Sequence, residues 1–91
     1  MIRVQRSAQF KRDYKLAKKR GKDIAKLDEL LGEIIAGTPL KRYHKQHRLQ
    51  GDWKRAFECH VESDWLLIWE SEDPEQIKFL RTGTHADIFK E

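Results

Sequence analysis

The spacing of apolar residues changes abruptly along this chain, and that change limits the folds it can adopt. Residues 24–36 carry one apolar stripe at helical spacing, made of Ile24, Leu27, Leu30, Leu31, Ile34 and Ile35. Gly37 and Pro39 follow the stripe and predict the end of the helix. Beyond Gly51 the apolar residues alternate with polar ones, which predicts strands. Helices and strands therefore occupy separate segments, as in an α+β domain.

The segment before the stripe predicts a strand and another helix. Residues 2–6 alternate between apolar and polar, as a short half-buried strand does. Ser7 is suited to cap a helix that runs from residue 8 to about residue 20. Gly21 ends this helix, and Asp23 is a candidate cap for the next one. The short connector predicts an antiparallel helix hairpin.

Three strands are predicted in the second half of the chain. The first covers residues 53–62, which alternate between apolar and polar. The second, residues 65–69, is apolar on both faces, which is typical of a central strand covered on each side. The third covers residues 76–82. We expect a single domain over residues 1–91, with an N-terminal strand and an antiparallel helix hairpin packed on an antiparallel β-sheet.

Charge is distributed along the chain in alternating blocks. Residues 1–22 carry nine Lys/Arg and one acid, and residues 38–55 carry six and one. Residues 56–76 carry seven acids and no basic residue. Clustered cations neutralise phosphates and release counterions, so the pattern favours a polyanionic partner. The ordinary alternative is that the lysines solvate exposed helix faces.

Residues 38–50 show no hydrophobic period and predict a basic loop with one helical turn at most. A long loop in a small domain is often functional. It supplies four candidate substrate-binding cations, which are Lys41, Arg42, Lys45 and Arg48.

The single cysteine and the lack of long apolar runs indicate the compartment. Cys59 cannot form an internal disulfide, which suits a reducing environment. Residues 1–6 do not resemble a signal peptide, and no segment approaches the ~20 apolar residues of a membrane span. We expect a cytoplasmic protein without a membrane partner.

Residues 47–85 gather the side chains that metal-free RNA cleavage requires. Such cleavage removes a proton from the ribose 2′-hydroxyl, gives one to the leaving 5′-oxygen and stabilises charge on the phosphoryl oxygens. Histidine exchanges protons near neutrality, and arginine offers a fixed charge in a planar fork. The candidate catalytic residues are His47, His60, Asp64, Arg81 and His85.

Each candidate also has an ordinary structural role. A lone histidine is more often structural than catalytic. The structural alternative for Arg81 is an ion pair with Glu58 or Glu70 across the sheet, and Asp64 is of a type common in turns. Trp65 and Phe89 are more often core residues than base-stacking platforms, although we retain both as candidate substrate-binding residues.

A metal site is not expected. The sequence has no pair of cysteines, and Cys59 and His60 are neighbours on a predicted strand, where they point to opposite faces. Cys59 is also read as buried, which argues against a nucleophilic thiolate. No cofactor is predicted.

Several runs together resemble one protein family. They are residues 47–53 (HRLQGDW), 58–68 (ECHVESDWLLI) and 80–89 (LRTGTHADIF), with residues 10–13 and 18–21 nearer the N-terminus. The chain resembles the YafQ branch of the RelE superfamily of bacterial toxin ribonucleases over nearly all its length. One departure is Ser63, where relatives often carry proline before the aspartate.

The resemblance implies a toxin of a type II toxin–antitoxin pair, an endoribonuclease that cleaves mRNA on the ribosome. It implies His85 and Asp64 as the leading proton-transfer pair and Arg81 as the residue that holds the scissile phosphate. His47 and His60 would assist, and the general base and general acid stay unassigned. Phe89 also falls on a family active-site position.

The resemblance further implies a cognate antitoxin, whose acidic segment we expect across the basic surface that includes residues 41–48. Relatives of ParE type share the scaffold and poison DNA gyrase without cutting nucleic acid, which is the main competing function. A catalytically silent RNA-binding module is a third possibility.

Overall fold

Three α-helices and five strands form the part of the chain that the computed structural model describes, which is residues 2–48, 56–71 and 75–89. In chain order the elements are β1 (Arg3–Arg6), α1 (Ala8–Lys19), α2 (Ile24–Ala36), a 3₁₀ turn (Arg42–His44), β2 (His47–Arg48), β3 (Ala56–Glu62), β4 (Trp65–Glu70), β5 (Gln76–Gly83) and α3 (His85–Phe89). The predicted α+β class is confirmed.

The ends of the two long helices follow from local chemistry. Ser7 caps α1, because its Oγ accepts a hydrogen bond from the backbone N–H of Phe10 at 2.9 Å. Gly37 ends α2 with a left-handed φ of 74°, a conformation that glycine adopts without a steric penalty. Asp23 stands at the N-cap position of α2 but makes no capping hydrogen bond through its side chain, so its predicted role is wrong.

Helix α2 folds back along α1. The hydroxyl of Tyr14 in α1 donates to the carboxylate of Asp28 in α2 at 2.8 Å, and the two residues are almost equally far from the connector. Both helices bury apolar side chains in the same core, which are Phe10 and Ala17 from α1 and Leu27, Leu30, Leu31 and Ile34 from α2. The predicted helix hairpin therefore covers one face of the sheet.

The sheet has the strand order β1-β5-β4-β3-β2. Strands β2 to β5 pair antiparallel with their neighbours, whereas β1 pairs parallel to β5, with Val4 opposite Ile77. The sheet predicted as antiparallel is therefore mixed. The chain passes through both helices between β1 and the other strands, and a long crossover of this kind permits parallel pairing.

The sheet separates two apolar clusters. The cluster on the helix side contains Cys59, Val61, Trp65, Leu67, Trp69, Ile77 and Phe79. The smaller cluster on the opposite side lies under α3 and contains Ala56, Leu66, Ile68 and Ile88, with Leu80 and Phe89 packed against it. Strand β4 is buried on both faces, which confirms it as the predicted central strand.

A bulge in β5 sets the position of Arg81. Trp69 in β4 is opposite Phe79, but Ile68, the preceding residue, is opposite Arg81, so Leu80 is extra. Arg81 is thereby paired with a residue of the α3-side cluster. The hydrophobic alternation of β5 alone does not predict this register.

Two short elements were not predicted. The basic loop contains the 3₁₀ turn, which agrees with the prediction of one helical turn at most. It also contains strand β2 (His47–Arg48), which was not predicted. Helix α3 has five residues, too few for its periodicity to be read. Trp53, the predicted start of the first long strand, lies outside the described residues. None of the described helices has the length and apolar character needed to cross a membrane.

Candidate active site

His85 and Asp64 form a hydrogen-bonded pair where the β3–β4 turn meets the start of α3. The Nδ1–H of His85 donates to Oδ1 of Asp64 at 2.7 Å, and the backbone N–H of His85 donates to the same oxygen at 3.1 Å. The carboxylate thus satisfies an N–H of the first helical turn that has no partner within the helix. Ser63 precedes Asp64 in the β3–β4 turn, and the turn holds the carboxylate in this contact.

The pair is exposed to solvent, and the pKa of its carboxyl group is lowered. The side chain of His85 is 43% exposed and that of Asp64 is 64% exposed. The hydrogen bonds from His85 lower the pKa of Asp64, so the carboxylate is ionised at neutral pH. An ionised carboxylate accepts the hydrogen bond from Nδ1–H and leaves Nε2 of His85 available to a ligand.

His60 adds a second imidazole beside the pair of His85 and Asp64. It lies on the α3 side of β3, where its ring centroid is 5.9 Å from that of His85 at an interplanar angle of 63°. The prediction that His60 faces away from the helix hairpin is confirmed. Phe89 borders the same spot, with its ring 6.3 Å from that of His85. Two imidazole rings and an aromatic ring thus share one surface.

Glu58 is a buried carboxylate that connects His47 with His60. Its Oε1 accepts a hydrogen bond from Nε2 of His47 at 3.0 Å and lies 3.7 Å from Nε2 of His60. We call the set His47, Glu58, His60, His85 and Asp64 the histidine row. Sequence analysis missed Glu58 as a site residue, although strand alternation assigns it to the same face as His60.

His44 supports the histidine row from outside. Its Nδ1–H donates to the backbone carbonyl of His60 at 2.7 Å, which fastens the 3₁₀ turn to β3. The carbonyl has only acceptor capacity, so this bond fixes the proton of His44 on Nδ1. The structural role predicted for a lone histidine fits His44.

Arg81 reaches the α3 side of the sheet but is tied to α1. Its Nε donates to Asp13 at 2.7 Å, and its Nη2 donates to Asp13 at 3.3 Å and to the backbone carbonyl of Asp87 at 3.4 Å. Among the described residues Arg81 makes no hydrogen bond to the histidine row. The pairing with a glutamate across the sheet, considered from the sequence, is wrong. One terminal nitrogen, Nη1, has no described partner, and the side chain is 21% exposed.

The carboxylate of Asp13 lies at the edge of β5, just beyond the residues that pair with β1. Besides the guanidinium of Arg81, its carboxylate accepts from the backbone N–H of Thr82 at 3.2 Å and from the side-chain amide of Gln9 at 2.9 Å. The side chain is only 7% exposed. Sequence analysis missed Asp13 because its partner lies 68 residues away. A lone acid among the cations of α1 was the only signal.

Asp87 holds α3 to the end of α1. The guanidinium of Arg20 is the main cause that lowers the pKa of Asp87 to about 2, with the backbone N–H of Thr84 next. A carboxyl group with a depressed pKa stabilises the fold at every pH above its unfolded value and loses this contribution as the pH falls through the folded value.

Asp87→Asn is therefore expected to lower the free energy of unfolding by about 1 kcal/mol at neutral pH, since solvent access reduces the full linkage value. The difference from wild type should shrink from about pH 5 to about pH 2 as Asp87 becomes protonated. Urea denaturation across this range checks it. A difference that does not change with pH would show that the charge of Asp87 is not responsible.

The four candidate cations of the basic loop are exposed but do not converge. The guanidinium of Arg48 lies over the ring of Phe57 at 5.2 Å, and Phe57 packs on the helix side. Lys41 borders a hollow beside α2. Neither is brought to the histidine row. Arg42 and Lys45 are exposed and have no partner among the described residues.

The substrate-binding role predicted for Trp65 is wrong. Its side chain is fully buried in the cluster on the helix side, and its Nε1–H donates to Oγ1 of Thr82 at 2.9 Å. A ring without exposed surface cannot stack on a base. Strand β4 is apolar on both faces, so the sequence pattern did not distinguish a covered aromatic from an open one.

Cys59 is buried on the face opposite His60, as predicted. Burial raises the pKa of its thiol to about 12, which leaves no thiolate for nucleophilic attack. Among the described residues no group of three or more His, Cys, Asp or Glu side chains is arranged to hold a metal ion.

Comparison with known proteins gives consistent matches over nearly the whole chain. Residues 2–90 match the family described as bacterial toxin of type II toxin–antitoxin system, YafQ. The mRNA interferase toxin YafQ of Escherichia coli K12 is 46% identical over 87 residues, which are 94% of this chain and 94% of that protein.

Solved structures agree with the sequence comparison. A chain of the crystal structure of the E. coli DinJ–YafQ complex is 43% identical and superposes with a TM-score of 0.91, covering 98% of this chain and 99% of that one. A metal-bound toxin from Helicobacter pylori is 31% identical with a TM-score of 0.89, covering 98% and 100%.

Proposed function

This chain belongs to the YafQ family of toxins from type II toxin–antitoxin systems, and we propose that its histidine row is the active site of an endoribonuclease that cleaves mRNA. The observation that carries the proposal is the hydrogen-bonded pair of His85 and Asp64 with the ring of His60 beside it. Such an exposed pair suits a macromolecular substrate. The relative at 46% identity is named an mRNA interferase, which favours this function over gyrase poisoning.

The reaction we assign to the site is a transesterification. The ribose 2′-oxygen attacks the adjacent phosphorus, the bond from phosphorus to the 5′-oxygen breaks, and a 2′,3′-cyclic phosphate and a 5′-hydroxyl are formed. One proton leaves the 2′-hydroxyl and one reaches the 5′-oxygen. We assign one of these protons to Nε2 of His85, whose Nδ1 is held by Asp64, and the other to the neighbouring ring of His60.

The remaining site residues position or stabilise the phosphate. Nη1 of Arg81 supplies fixed positive charge to the phosphoryl oxygens as negative charge develops there. Glu58 orients His47, which lies at the far end of the row. We assign the partly buried ring of Phe89, which lies beside His85, to contact with a base. Arg42 and Lys45 attract the RNA backbone through charge alone.

The chemistry of the new RNA ends tests the proposal. Purified toxin is incubated with a labelled mRNA, with and without programmed ribosomes, and the cleaved ends are analysed. We expect 2′,3′-cyclic phosphate and 5′-hydroxyl ends that are absent with the His85→Ala variant. Ends with 3′-hydroxyl and 5′-phosphate would contradict the mechanism. Comparing the two substrates also shows whether cleavage depends on the ribosome.

Cleavage in the presence of EDTA tests whether the reaction needs a metal ion. The proton transfers and charge stabilisation assigned above need no Lewis acid, so cleavage is expected to persist in EDTA when the ribosome's own magnesium requirement is controlled for. Since a related H. pylori toxin is described as metal-bound, activity lost in EDTA and restored by a transition metal would assign a metal to the site instead.

The cellular setting follows from the substrate. We propose that the toxin acts in the cytoplasm on translated mRNA and is inhibited by a cognate antitoxin, as the YafQ of E. coli is found in complex with DinJ. We propose that an acidic antitoxin segment lies across residues 41–48, whose exposed cations attract negative charge. A complex that leaves all these residues uncovered would contradict that placement.

A further inference from the structure

Helix α3 carries His85 but is too short to be stable by itself. An isolated helix needs roughly 12 to 15 residues in water, whereas α3 has five. A reciprocal capping box supports it: the Oγ1 of Thr84 accepts from the N–H of Asp87 at 3.1 Å, and the carboxylate of Asp87 accepts from the N–H of Thr84 at 3.0 Å. A Cβ on Gly83 would lie 3.1 Å from the Cβ of Asp87, so glycine permits this close approach.

Arg20 fastens this capping box to the end of α1. Its Nη1 donates to one oxygen of Asp87 at 2.7 Å, and its Nη2 donates to the other at 3.3 Å. The backbone of Arg20 is itself fixed, because its N–H donates to the carbonyl of Leu16 at 2.9 Å. A bidentate pair of this kind sets the direction of the carboxylate as well as its distance.

We propose that Arg20 is a positioning residue for the reaction, which acts through Asp87 to hold α3 and thereby the ring of His85 against Asp64. This inference rests on the proposed ribonuclease function. We assign Arg20 no contact with the RNA, because each of its terminal nitrogens donates to Asp87 and the bidentate contact directs the guanidinium towards α3. The bond from Nδ1 of His85 to Asp64 is short, and a displacement of about 1 Å at a reacting group lowers rates by up to about 100-fold.

The test compares Arg20→Gln, Asp87→Asn and the double variant with Lys19→Gln. Lys19 is the adjacent exposed residue in the last turn of α1 and has no described partner, so Lys19→Gln removes the same charge without breaking the Arg20–Asp87 contact. Asparagine retains a side-chain oxygen that accepts from Thr84, so Asp87→Asn removes mainly the ionic contact to Arg20.

Cleavage kinetics should separate positioning from RNA binding. Arg20→Gln and Asp87→Asn are each expected to lower kcat by about tenfold with little change in KM. The double variant should lose no more than either single variant, since both break the same contact. Lys19→Gln should retain the kcat of wild type. Arg20→Lys should recover part of the loss. A raised KM with unchanged kcat in Arg20→Gln alone would overturn the proposal, because that result describes a phosphate contact.

A measurement that needs no RNA tests the positioning role of Arg20 separately from the ribonuclease function. The carboxyl pKa of Asp64, followed by NMR, should rise towards its ordinary value in Arg20→Gln and Asp87→Asn but not in Lys19→Gln, since loosened hydrogen bonds from His85 no longer stabilise the anion. An unchanged pKa of Asp64 in both contact variants would overturn the positioning role. If wild type fails to cleave RNA while the pKa of Asp64 rises as expected, the function fails and the positioning stands.

Discussion

Replacing His85 with alanine is expected to lower the rate of mRNA cleavage by about 100- to 10,000-fold, the usual contribution of a general acid or base. The substitution removes the Nε2 to which we assign proton transfer, and it removes the side-chain bond to Asp64. The bond from the backbone N–H of residue 85 to Asp64 remains. Growth inhibition on expression should disappear. Antitoxin binding and thermal unfolding should stay close to wild type. Single-turnover cleavage and a growth assay measure the effect.

His44→Ala is a matched histidine deletion. His44 donates to the carbonyl of His60 from outside the row, so its loss should reduce the free energy of unfolding by about 1 kcal/mol and affect cleavage far less than His85→Ala. Undiminished toxicity of His85→Ala would remove the nuclease mechanism and favour a gyrase poison or a simple RNA-binding module. Equal losses in the two variants would show that general destabilisation, not proton transfer, explains the result.

Replacing Asp13 with alanine is expected to reduce the free energy of unfolding by about 3 to 5 kcal/mol. The carboxylate is almost fully buried and accepts hydrogen bonds from Arg81, Thr82 and Gln9. Its removal leaves the guanidinium of Arg81 mostly buried without a counter-charge and the N–H of Thr82 without an acceptor. A loss of this size is a large part of the stability of a small domain. Urea denaturation of the purified variants measures it.

The paired variant Asp13→Leu with Arg81→Met should be more stable than Asp13→Ala, because it removes the unpaired charge together with its partner. Asp13→Asn should be intermediate, since it retains an acceptor for Thr82. A loss below about 1 kcal/mol for Asp13→Ala would be typical of an exposed ion pair and would contradict the burial of this one.

Local patterns in the sequence predicted most of the fold. The apolar stripe gave the bounds of α2, and Ser7 and Gly37 marked helix ends, because capping depends on neighbouring residues. The alternation in β3 placed His60 and Cys59 on opposite faces, since that alternation is a property of one strand. These features need no knowledge of the partner segments.

The parts that sequence analysis missed all depend on distant segments. The bulge beside Leu80 fixes where Arg81 lies, but it is defined only by pairing with β4. Asp13 and Arg20 receive their roles from residues about seventy positions later. Burial of Trp65 on the helix side likewise depends on how the hairpin covers the sheet. The candidate site was therefore identified by residue type and resemblance, whereas its supporting contacts required the structure.

The parallel pairing of β1 with β5 affects the order in which the protein folds during its synthesis. Ser7 donates to the carbonyl of Leu80, 73 residues away, so the first strand synthesised has no neighbour until β5 emerges. Long-range pairings of this kind form late and slowly. Asp13 and Arg20 likewise make their side-chain contacts only after residues 81–87 have been synthesised. A partly translated chain thus carries His44, His47 and His60 before His85 has been synthesised, so the histidine row assembles only after β5 and α3 have emerged.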